Sequence, residues 1–424
     1  MKKTLNINIK HLSRVEGRGN IHIKIRNGKL IEARWEVIET PRFFEAMLVG
    51  RNWDNAPWIT GRICGICSIG HTLASIRAIE NAFKIIPDKQ TMKLRLLLKH
   101  METLQSHSFH LCLLALPDFL NAGSIFPLIK SHEDAVLHAV RIKGLANDIC
   151  DCIGGRRLHP TRTVVGGFTK LPEKEELSLF SERLKGITND LMAVANLFKG
   201  LKVPDFTRET EYVSLKGKDH YPFIGGDIVS SDGVQKREKD YKEVTNEYIV
   251  PQSTAKWCRL SRESFAVGAL ARVNNNFEFL HPAAKDIAGR FGLVPVNCNP
   301  FMNNIAQLVE CVHVVMDSIR LIDELLSSTF EEPRQEVKPK SGVGVGAVEV
   351  PRGILYHCYE FDDKGKILRS DCVIPTGQNH ANIQHDLEAL AEELAEKGKE
   401  DEEVELLASM LVRAYDPCIS CSVH

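Results

Sequence analysis

Two cysteine motifs at opposite ends of the sequence, GRICGICSIGH at residues 61–71 and DPCISCSVH at residues 416–424, constrain the fold more than any other feature. In each motif two residues separate the cysteines, a spacing that lets both thiolates turn toward one ion, and a histidine follows. Gly65 is expected to relieve crowding between the first two cysteines. The motifs together supply four soft sulfur donors, from Cys64, Cys67, Cys418 and Cys421. If these bind one site, the two ends of the chain must meet inside a single folded body.

The spacing alone leaves the metal open. Two such pairs most often form a structural zinc site with four cysteine ligands. A zinc ion closing so large a ring is physically possible, because the cost of loop closure grows slowly with length, but small cores do not need zinc for that purpose. Thiolates also suit copper(I), nickel and iron-sulfur chemistry. By spacing alone, zinc and a catalytic transition metal are therefore about equally favoured.

The composition is that of an ordinary globular protein. The 424 residues include 43% hydrophobic residues and have a formal net charge of -1, which offers no general attraction to nucleic acids or anionic membranes. The basic start of residues 1–10 is not followed by an apolar signal-peptide segment, and no apolar run approaches the about 18 residues of a membrane helix. We expect a cytoplasmic protein without direct membrane insertion.

The apolar periodicity predicts an α+β fold, predominantly α, in which residues 1–424 form one domain. An N-terminal antiparallel sheet, with a hairpin turn at Asn27-Gly28, should precede a central bundle of long helices and a smaller C-terminal β-containing segment. The expected parts are 1–60 (β-rich), 61–203 (helical core), 204–256 (an irregular, β-containing excursion), 257–328 (helical core), 329–348 (a polar, flexible connector) and 349–424 (β segment, helices and metal-binding tail). Helical spacing of apolar residues is found over His71–Lys84, Thr91–Leu116, Asp134–Asp148, Lys174–Phe198, Asn303–Ser328, His385–Lys397 and Glu402–Ala414.

Further motifs accompany the cysteine pairs. They are RVEG at 14–17, RFFE at 42–45, GGRRLHP at 154–160 with Gly166-Gly167 after it, PRG at 351–353 and CVIPT at 372–376. In this order and along nearly the whole chain, the set resembles the motifs of the large, catalytic subunit of nickel-iron hydrogenases. The resemblance implies reversible heterolytic cleavage of H2 into protons and electrons at a nickel-iron centre.

The cysteines match the family's metal ligands one by one. Cys64 and Cys418 match the terminal nickel ligands. Cys67 and Cys421 match the two thiolates that bridge nickel to an iron carrying carbonyl and cyanide ligands. The resemblance thus favours nickel and iron over zinc.

Four further residues match the family's proton-handling and active-site groups. Glu16 matches the proton-relay carboxylate, which would receive its proton from the Cys418 thiolate or a group beside it. Arg352 matches a guanidinium poised over the open metal position, with Pro351 beside it and Asp416 as an acceptor that holds it. Without the resemblance, a plain turn with a surface arginine is the preferred interpretation of the PRG motif, and Asp416 can likewise be interpreted as a turn residue.

A second metal site is implied as well. Glu45, the His424 imidazole and the main-chain carbonyl of Cys372 match the ligands of a Mg2+ site, which in some members binds Fe2+. Because the sequence ends at this histidine, it resembles the mature form of a family member, or a member that never had a removable extension.

Three details refine these expectations. Many uptake-type members have Asp just before the position of His107, where this chain has Ser106, so Asp416 is the expected partner of Arg352. His107 and His110 are expected to be hydrogen-bonded core residues and not metal ligands. Seven cysteines match no ligand position and are expected to be buried packing residues; they are Cys112, Cys150, Cys152, Cys258, Cys298, Cys311 and Cys358.

The remaining cysteines form no four-cysteine cluster pattern. The resemblance therefore implies that electrons leave to a small iron-sulfur subunit, and onward to further iron-sulfur or flavin subunits. The chain length favours the cytoplasmic types that are linked to NAD(P), a deazaflavin or a bifurcating partner. The alternative is a non-catalytic or sensory homologue, either a scaffold resembling the quinone-site subunit of respiratory complex I or a zinc-stapled structural subunit.

Overall fold

The computed structural model describes residues 4–331 and 334–424, and over these residues the predicted α+β, predominantly α fold is confirmed. Residues 1–3 of the predicted β-rich part, and residues 332 and 333 of the predicted connector, lie outside the described residues. The strands are β1 (Leu5–Ile9), β2 (Gly19–Arg26), β3 (Lys29–Val37), β4 (Thr163–Val164), β5 (Gly167–Phe168), β6 (Glu211–Lys216), β7 (Asp227–Ser230), β8 (Gln235–Arg237), β9 (Phe265–Ala266), β10 (Gly342–Val350), β11 (Gly353–Phe361) and β12 (Ile367–Val373). The helices are α1 (Phe44–Leu48), α2 (Ala56–Thr60), α3 (Ser68–Phe83), α4 (Lys89–Phe109), α5 (Leu116–Phe119), α6 (Leu128–Ser131), α7 (Glu133–Gly154), α8 (Lys174–Lys199), α9 (Lys242–Thr245), α10 (Ala269–Asn276), α11 (Pro282–Arg290), α12 (Asn303–Leu326), α13 (Pro375–Glu396), α14 (Asp401–Ala414) and α15 (Ile419–Ser422).

The N-terminal sheet is antiparallel, in the order β1-β2-β3. Asn27 and Gly28 form its hairpin turn with φ of 54° and 70°, the positive values that a two-residue type I′ turn requires. Alternate residues of β2, including Ile21 and Ile23, are buried, so one face of the sheet packs on the core. Helix α13 covers the edge of β3, where the Gln384 side chain accepts a hydrogen bond from the Trp35 amide at 2.8 Å.

Four long helices build the core. Helix α4 packs on α7 and α12, and α8 packs on the same two helices. Their apolar faces are almost completely buried, as the helical period of the sequence predicts. After α4 a π-helical turn over His110–Ala115 leads directly into α5. Helix α12 of this bundle contacts the second cysteine motif, through a hydrogen bond from Gln307 to Asp416.

The prediction of a polar, flexible connector is wrong from Gly342 onward. Strand β10 begins there, pairs with β11, and lies directly on α3. A Cβ atom at Gly344 would come within 2.0 Å of the Ala78 carbonyl oxygen, and one at Gly346 within 2.2 Å of the Ala74 carbonyl oxygen. The alternating glycines therefore let the strand approach the helix backbone, a close approach that only glycine permits.

The C-terminal tail enters the body between the N-terminal segment and α3. Glu16 and Cys418 form a parallel bridge, and the Arg42 amide donates to the Val423 carbonyl oxygen at 2.8 Å. The first and last parts of the chain thus pair with each other. No helix in the described ranges is both long and apolar enough to cross a membrane.

Candidate metal centre

The four sulfur atoms of the two cysteine motifs lie together inside the protein. Cys64 Sγ is 3.6 Å from Cys418 Sγ, and the ligand atoms of Cys64, Cys418 and Cys421 all lie within 4.8 Å of one another. Cys67 Sγ lies within 4.8 Å of Cys421 Sγ. None of the four cysteines is more than 4% exposed. The Cys418 and Cys421 sulfurs lie next to each other. Because a thiolate is the metal ligand, metal binding requires both cysteines in the reduced form.

Each cysteine pair is fixed by the backbone around it. Cys64 Sγ accepts hydrogen bonds from the amides of Ile66 and Cys67, both at 3.2 Å, and Cys67 is the residue immediately before α3. The Cys418 amide donates to Thr376 Oγ1 at 3.0 Å. The expectation for Gly65 is wrong, because a Cβ there would meet open space and its φ is not positive. The short Cys-x-x-Cys loop therefore positions its sulfurs without a glycine requirement.

The two thiols of the first cysteine motif differ in pKa. A hydrogen bond from Cys67, together with the nearby positive charge of Arg352, lowers the pKa of Cys64 below its ordinary value. The same hydrogen bond and burial raise the pKa of Cys67 well above its ordinary value. Before any metal binds, Cys64 is thus the sulfur more readily deprotonated.

Arg352 is buried beside the sulfurs and not exposed on a turn. With Pro351 it forms the two-residue loop between β10 and β11, at the end of the pairing of Val350 with Gly353. Its Nη2 donates to Asp416 Oδ1 at 2.8 Å and its Nε donates to the Asp416 carbonyl oxygen at 2.6 Å. Burial opposes its charge, but Asp416 and the nearby thiols raise the pKa of Arg352 above its ordinary value. Ser106 makes only a long contact of 3.5 Å with it, so Asp416 is its main partner, as the sequence predicts.

Asp416 is itself held by the helical core. It adopts a left-handed conformation with φ of 51°, and its Oδ2 accepts from Gln307 Nε2 at 3.2 Å. Behind the loop, Arg272 Nη2 donates to the Pro351 carbonyl oxygen at 3.1 Å. Both residues of the Pro351–Arg352 loop are therefore anchored from the core.

Glu16 contacts the second cysteine motif directly. Its Oε2 lies 3.1 Å from Cys418 Sγ and accepts from the Ser420 amide at 3.1 Å, while its Oε1 accepts from the Ser420 hydroxyl. The Glu16 side chain is half-buried. It therefore links the sulfur cluster to the outside of this chain.

His71 faces the sulfurs from the first turns of α3. Its ring nitrogen lies within 4.8 Å of the Cys67 and Cys421 sulfurs. The Nε2 atom is buried and has no hydrogen-bond partner among the described residues, while Nδ1 is 3.1 Å from His357 Nε2. Burial lowers the pKa of His71 well below its ordinary value, so the ring is neutral.

The residues of the predicted second site lie close together. Glu45 Oε1 lies 3.5 Å from His424 Nε2 and accepts from the Cys372 amide at 2.7 Å. Cys372 lies opposite His357 on β12, and because its N–H points away from β11, its carbonyl points the same way in an antiparallel pair. Burial opposes the charge of Glu45, but the hydrogen bonds from His424 and Cys372 lower its pKa. Glu45 and His424 thus lie side by side next to the Cys372 backbone, and a carboxylate, an imidazole and a carbonyl would suit a divalent cation completed by water.

Sequence reasoning missed Arg42. Its Nη2 donates to the Ile63 carbonyl oxygen at 2.7 Å and to the Ser420 carbonyl oxygen at 2.5 Å, so one guanidinium joins the two cysteine loops. Its place in the RFFE motif, three residues before Glu45, was the available signal. No local pattern shows which backbone carbonyls it reaches.

The two core histidines and most of the remaining cysteines lie as predicted. His107 Nε2 is 2.7 Å from Glu310 Oε2, and His110 Nδ1 is 2.6 Å from Gln307 Oε1, so both rings belong to the hydrogen-bonded core. Of the seven other cysteines, Cys112, Cys150, Cys258 and Cys311 are buried, whereas Cys152, Cys298 and Cys358 are only half-buried.

Comparison with known proteins identifies the family. A family model described as nickel-dependent hydrogenase matches residues 42–136 and 230–424. The alpha subunit of sulfhydrogenase 1 from Pyrococcus furiosus is 34% identical over 99% of this chain and 98% of that protein.

Solved structures agree over the full length. The crystal structure of an NAD+-reducing [NiFe]-hydrogenase in the H2-reduced state matches with a TM-score of 0.89 and 26% identity, covering 99% of both chains. The Ni-Fe-Se hydrogenase from D. vulgaris Hildenborough matches with a TM-score of 0.79 and 23% identity over the whole of both chains, which shows the shared fold.

Proposed function

The chain belongs to the nickel-dependent hydrogenase family, and from this premise we propose that its four clustered cysteines hold a nickel-iron centre. It is the catalytic subunit of a hydrogenase, an oxidoreductase that acts on H2, and not the non-catalytic alternative. The observation that carries the assignment of the site is the burial of four sulfurs from opposite ends of the chain at one point, beside Glu16 and Arg352.

The donor set fits the proposed centre. Four buried thiolates are soft ligands suited to nickel and iron, and a site without carboxylate ligands disfavours hard cations. We assign Cys64 and Cys418 to nickel and Cys67 and Cys421 to positions shared by nickel and iron. The iron would carry carbonyl and cyanide ligands, as the motif resemblance implies. When bound, this centre supplies the Lewis acidity and the electron acceptance on which heterolytic cleavage of H2 depends.

Glu16 is the proposed proton acceptor of the site. A proton held on Cys418 Sγ would lie 3.1 Å from Glu16 Oε2, within the range for direct transfer. The Ser420 amide and hydroxyl hold the Glu16 carboxylate in this orientation. Because Glu16 is half-buried, it can pass the proton outward.

Arg352 is the proposed electrostatic group of the site. Asp416 holds the guanidinium by two hydrogen bonds, so its position is fixed before substrate arrives. A fixed cation beside the sulfurs favours their deprotonated form and can polarise H2 or orient a base. Pro351 keeps the loop rigid through its restricted φ.

The second site is proposed to bind Mg2+, or Fe2+, through Glu45, the Cys372 carbonyl and His424. The ion would tie α1, β12 and the C-terminal tail together, next to the loop that carries Cys418 and Cys421. Its proposed role is structural, because it fixes the tail that supplies half of the sulfur ligands.

Electrons must leave the chain for a partner. Relatives are named as alpha or beta subunits of multi-subunit hydrogenases, among them an NAD-reducing enzyme. We propose a small iron-sulfur subunit as the direct partner, with further iron-sulfur or flavin subunits beyond it. A cytoplasmic complex linked to NAD(P), a deazaflavin or a bifurcating acceptor is the proposed setting.

Elemental analysis of this subunit, separated from its iron-sulfur partners, and infrared spectroscopy of the purified complex test the proposal. We expect nickel and iron in equal amounts at the cysteine site, together with carbonyl and cyanide stretching bands. A Cys418→Ser variant should lose nickel and H2 activity, whereas Cys258→Ser, at a buried cysteine outside the cluster, should keep both. Zinc alone in the wild-type protein, or full activity in Cys418→Ser, would contradict the assignment.

A further inference from the structure

A buried arginine, Arg272 on α10, uses its whole guanidinium group inside the core. Its Nε and Nη2 donate to the two carboxylate oxygens of Glu310 at 2.6 and 2.7 Å. Its Nη1 donates to Glu349 Oε2 and to the Val350 carbonyl oxygen, both at 2.9 Å. Its Nη2 also donates to the Pro351 carbonyl oxygen at 3.1 Å. A guanidinium has five N–H groups, so the donors of Arg272 are all in use.

The charges of this group nearly balance. Burial opposes the charges of Arg272 and Glu310, but their mutual attraction raises the pKa of the arginine and lowers the pKa of the carboxyl group. These two residues therefore form a buried ion pair. Burial raises the pKa of Glu349 to about 7, so this carboxyl group is partly protonated near neutral pH. The Tyr221 hydroxyl and His107 Nε2 complete the surroundings of Glu310, at 2.6 and 2.7 Å from its oxygens.

Two of the acceptors belong to the backbone that leads to Arg352. Val350 is the last residue of β10, and Pro351 follows it immediately before Arg352. Because a peptide unit is planar, fixing the Pro351 carbonyl also fixes the amide of Arg352, and with it the point from which that side chain leaves the backbone. The Val350 carbonyl fixes the preceding peptide unit in the same way. Arg272 therefore holds two successive peptide units that lead to Arg352.

Helix α12 holds both sides of the contact between Arg352 and Asp416. Gln307 and Glu310 lie three residues apart on this helix, and side chains with that spacing share a helix face. Gln307 Nε2 donates to Asp416 Oδ2 at 3.2 Å. Glu310 holds Arg272 through both of its oxygens. One turn of α12 thus fixes the carboxylate that accepts from the guanidinium and, through Arg272, the backbone that carries the guanidinium.

We propose that Arg272 is a positioning residue for Arg352, and that its ion pair with Glu310 sets where the Arg352 guanidinium stands beside the sulfur cluster. The inference rests on the proposed function, because Arg352 is assigned there as the electrostatic group of the site. A fixed charge assists a reaction most when it is in place before the reaction begins. A misplacement of about 1 Å, even one caused far from the reacting atoms, can lower a rate about 100-fold. The backbone under Arg352 must therefore be held as firmly as its guanidinium, and Arg272 supplies that support.

Arg272→Lys in the purified complex tests the inference. Lysine keeps the positive charge but has three N–H donors on one nitrogen, so it cannot serve five acceptors that surround a planar guanidinium. In a crystal structure of the variant we expect the distance from Arg352 Nη2 to Asp416 Oδ1, which is 2.8 Å in the native chain, to lengthen. The carbonyl and cyanide infrared bands should shift in the same direction as in Arg352→Lys, but by a smaller amount. The rate of H2 oxidation should fall roughly tenfold to 100-fold with unchanged nickel content.

A double-variant cycle separates positioning from general structural damage. In a chain that already carries Arg352→Lys, the further change Arg272→Lys should cause almost no additional band shift and almost no additional loss of rate, because the guanidinium that Arg272 positions is absent. The matched control is Arg95→Lys, which should leave the bands unchanged. Arg95 is also buried, donates to both carboxylate oxygens of Glu80 at 2.9 and 2.7 Å, and donates to the Val164 carbonyl oxygen, outside the loop, at 3.0 Å.

Glu310→Gln replaces Arg272→Lys in all of these measurements if the lysine variant does not fold. Both oxygens of Glu310 accept from Arg272, so whichever way the new amide is turned, its NH2 group meets an N–H of Arg272 and one hydrogen bond of the pair is lost. Glu349 remains as a counter-charge for Arg272. We expect the same displacement of Arg352 and a band shift in the same direction.

The outcomes distinguish this inference from the proposed function. Additive losses in the cycle, an Arg352 guanidinium that does not move, or band shifts no larger than those of Arg95→Lys would overturn the inference. In each case nickel and infrared bands in the wild-type complex would leave the proposed function standing. If the wild type lacked nickel and these bands, the proposed function would fail, and the position of Arg352 in the variant structures would still decide the inference.

Discussion

Replacing Asp416 with Asn tests the charge balance around Arg352. In the native chain the guanidinium is buried, and Asp416 accepts two of its hydrogen bonds through the side chain and the backbone carbonyl. Asn keeps the shape and the backbone carbonyl but removes the negative charge. It also places an amide group next to Gln307. In the native chain Gln307 Nε2 donates to Asp416 Oδ2, and Gln307 Oε1 is already hydrogen-bonded to His110. The variant therefore leaves a buried cation uncompensated and one donor without an acceptor.

The expected loss of unfolding free energy is about 3 kcal/mol, because removing one partner of a buried ion pair costs about 3–5 kcal/mol and Asn retains part of the hydrogen bonding. The matched control is Asp148→Asn. Its pair with Arg183 has a similar distance of 2.7 Å, but its side chains are 42% and 41% exposed, so we expect a loss of no more than about 1 kcal/mol.

The assay is urea unfolding of the metal-free, reduced chain. A double variant, Arg352→Gln with Asp416→Asn, should be more stable than Asp416→Asn alone, because it removes the orphaned charge. A loss in Asp416→Asn as small as that in Asp148→Asn would refute the reasoning, and so would a double variant whose losses simply add.

Further outcomes can be measured independently. Glu16→Gln should lower the rate of H2 oxidation by roughly 10²- to 10⁴-fold, the range for loss of a proton-transfer group, with unchanged nickel content. The control Glu36→Gln, at the far end of β3, should leave the rate unchanged. Unchanged turnover in Glu16→Gln would exclude Glu16 as the proton acceptor. Gly70→Ala should destabilise the chain by about 1–3 kcal/mol in urea unfolding, because its Cβ would lie 2.1 Å from Val350 Cγ1, while Gly186→Ala, whose Cβ meets open space in α8, should be neutral or stabilising. The free energy of unfolding should also fall as the pH drops below about 6.5, because burial lowers the pKa of His380 to about 3 and the unfolded chain therefore binds a proton first. At pH 5 this histidine alone should lower the free energy of unfolding by about 2 kcal/mol. The stability of His380→Gln should depend less steeply on pH in acid than that of the wild type.

The periodicity of the sequence was sufficient for the main helices and the N-terminal sheet. Helix α8 begins at Lys174 as predicted and ends within one residue of the prediction, since its apolar face is regular. Helix α13, in contrast, begins at Pro375, ten residues before the predicted start at His385. Its first turns carry buried polar residues. Gln378 donates to the Ile354 carbonyl oxygen of β11, and Asn379 accepts from the Val267 amide. The sequence of these turns therefore shows no apolar periodicity. Hydrogen bonds to other parts of the fold hold these turns, whereas the prediction depended on periodic apolar residues.

The sulfur cluster was predictable because a metal site fixes residue type and spacing together. The contacts that support the cluster were not. Arg42 reaches two backbone carbonyls, and the His357–His71 contact joins residues 286 positions apart. Such contacts depend on the relative placement of β11 and α3, which follows from the close approach of β10 at Gly344 and Gly346. Because the sequence predicted a flexible connector where β10 lies, it could not predict these contacts.

The meeting of the two chain ends has a consequence for synthesis in the cell. Cys64 and Cys418 are separated by 354 positions, so the first pair leaves the ribosome long before the second exists. Contacts of such high sequence separation form late, after the local helices have folded. During that interval the first pair is a reactive dithiol without its partners, open to oxidation or to the wrong ion. A metal ion that needs sulfurs from both pairs can therefore be bound only after the segment that carries Cys418 has docked against the segment that carries Cys64.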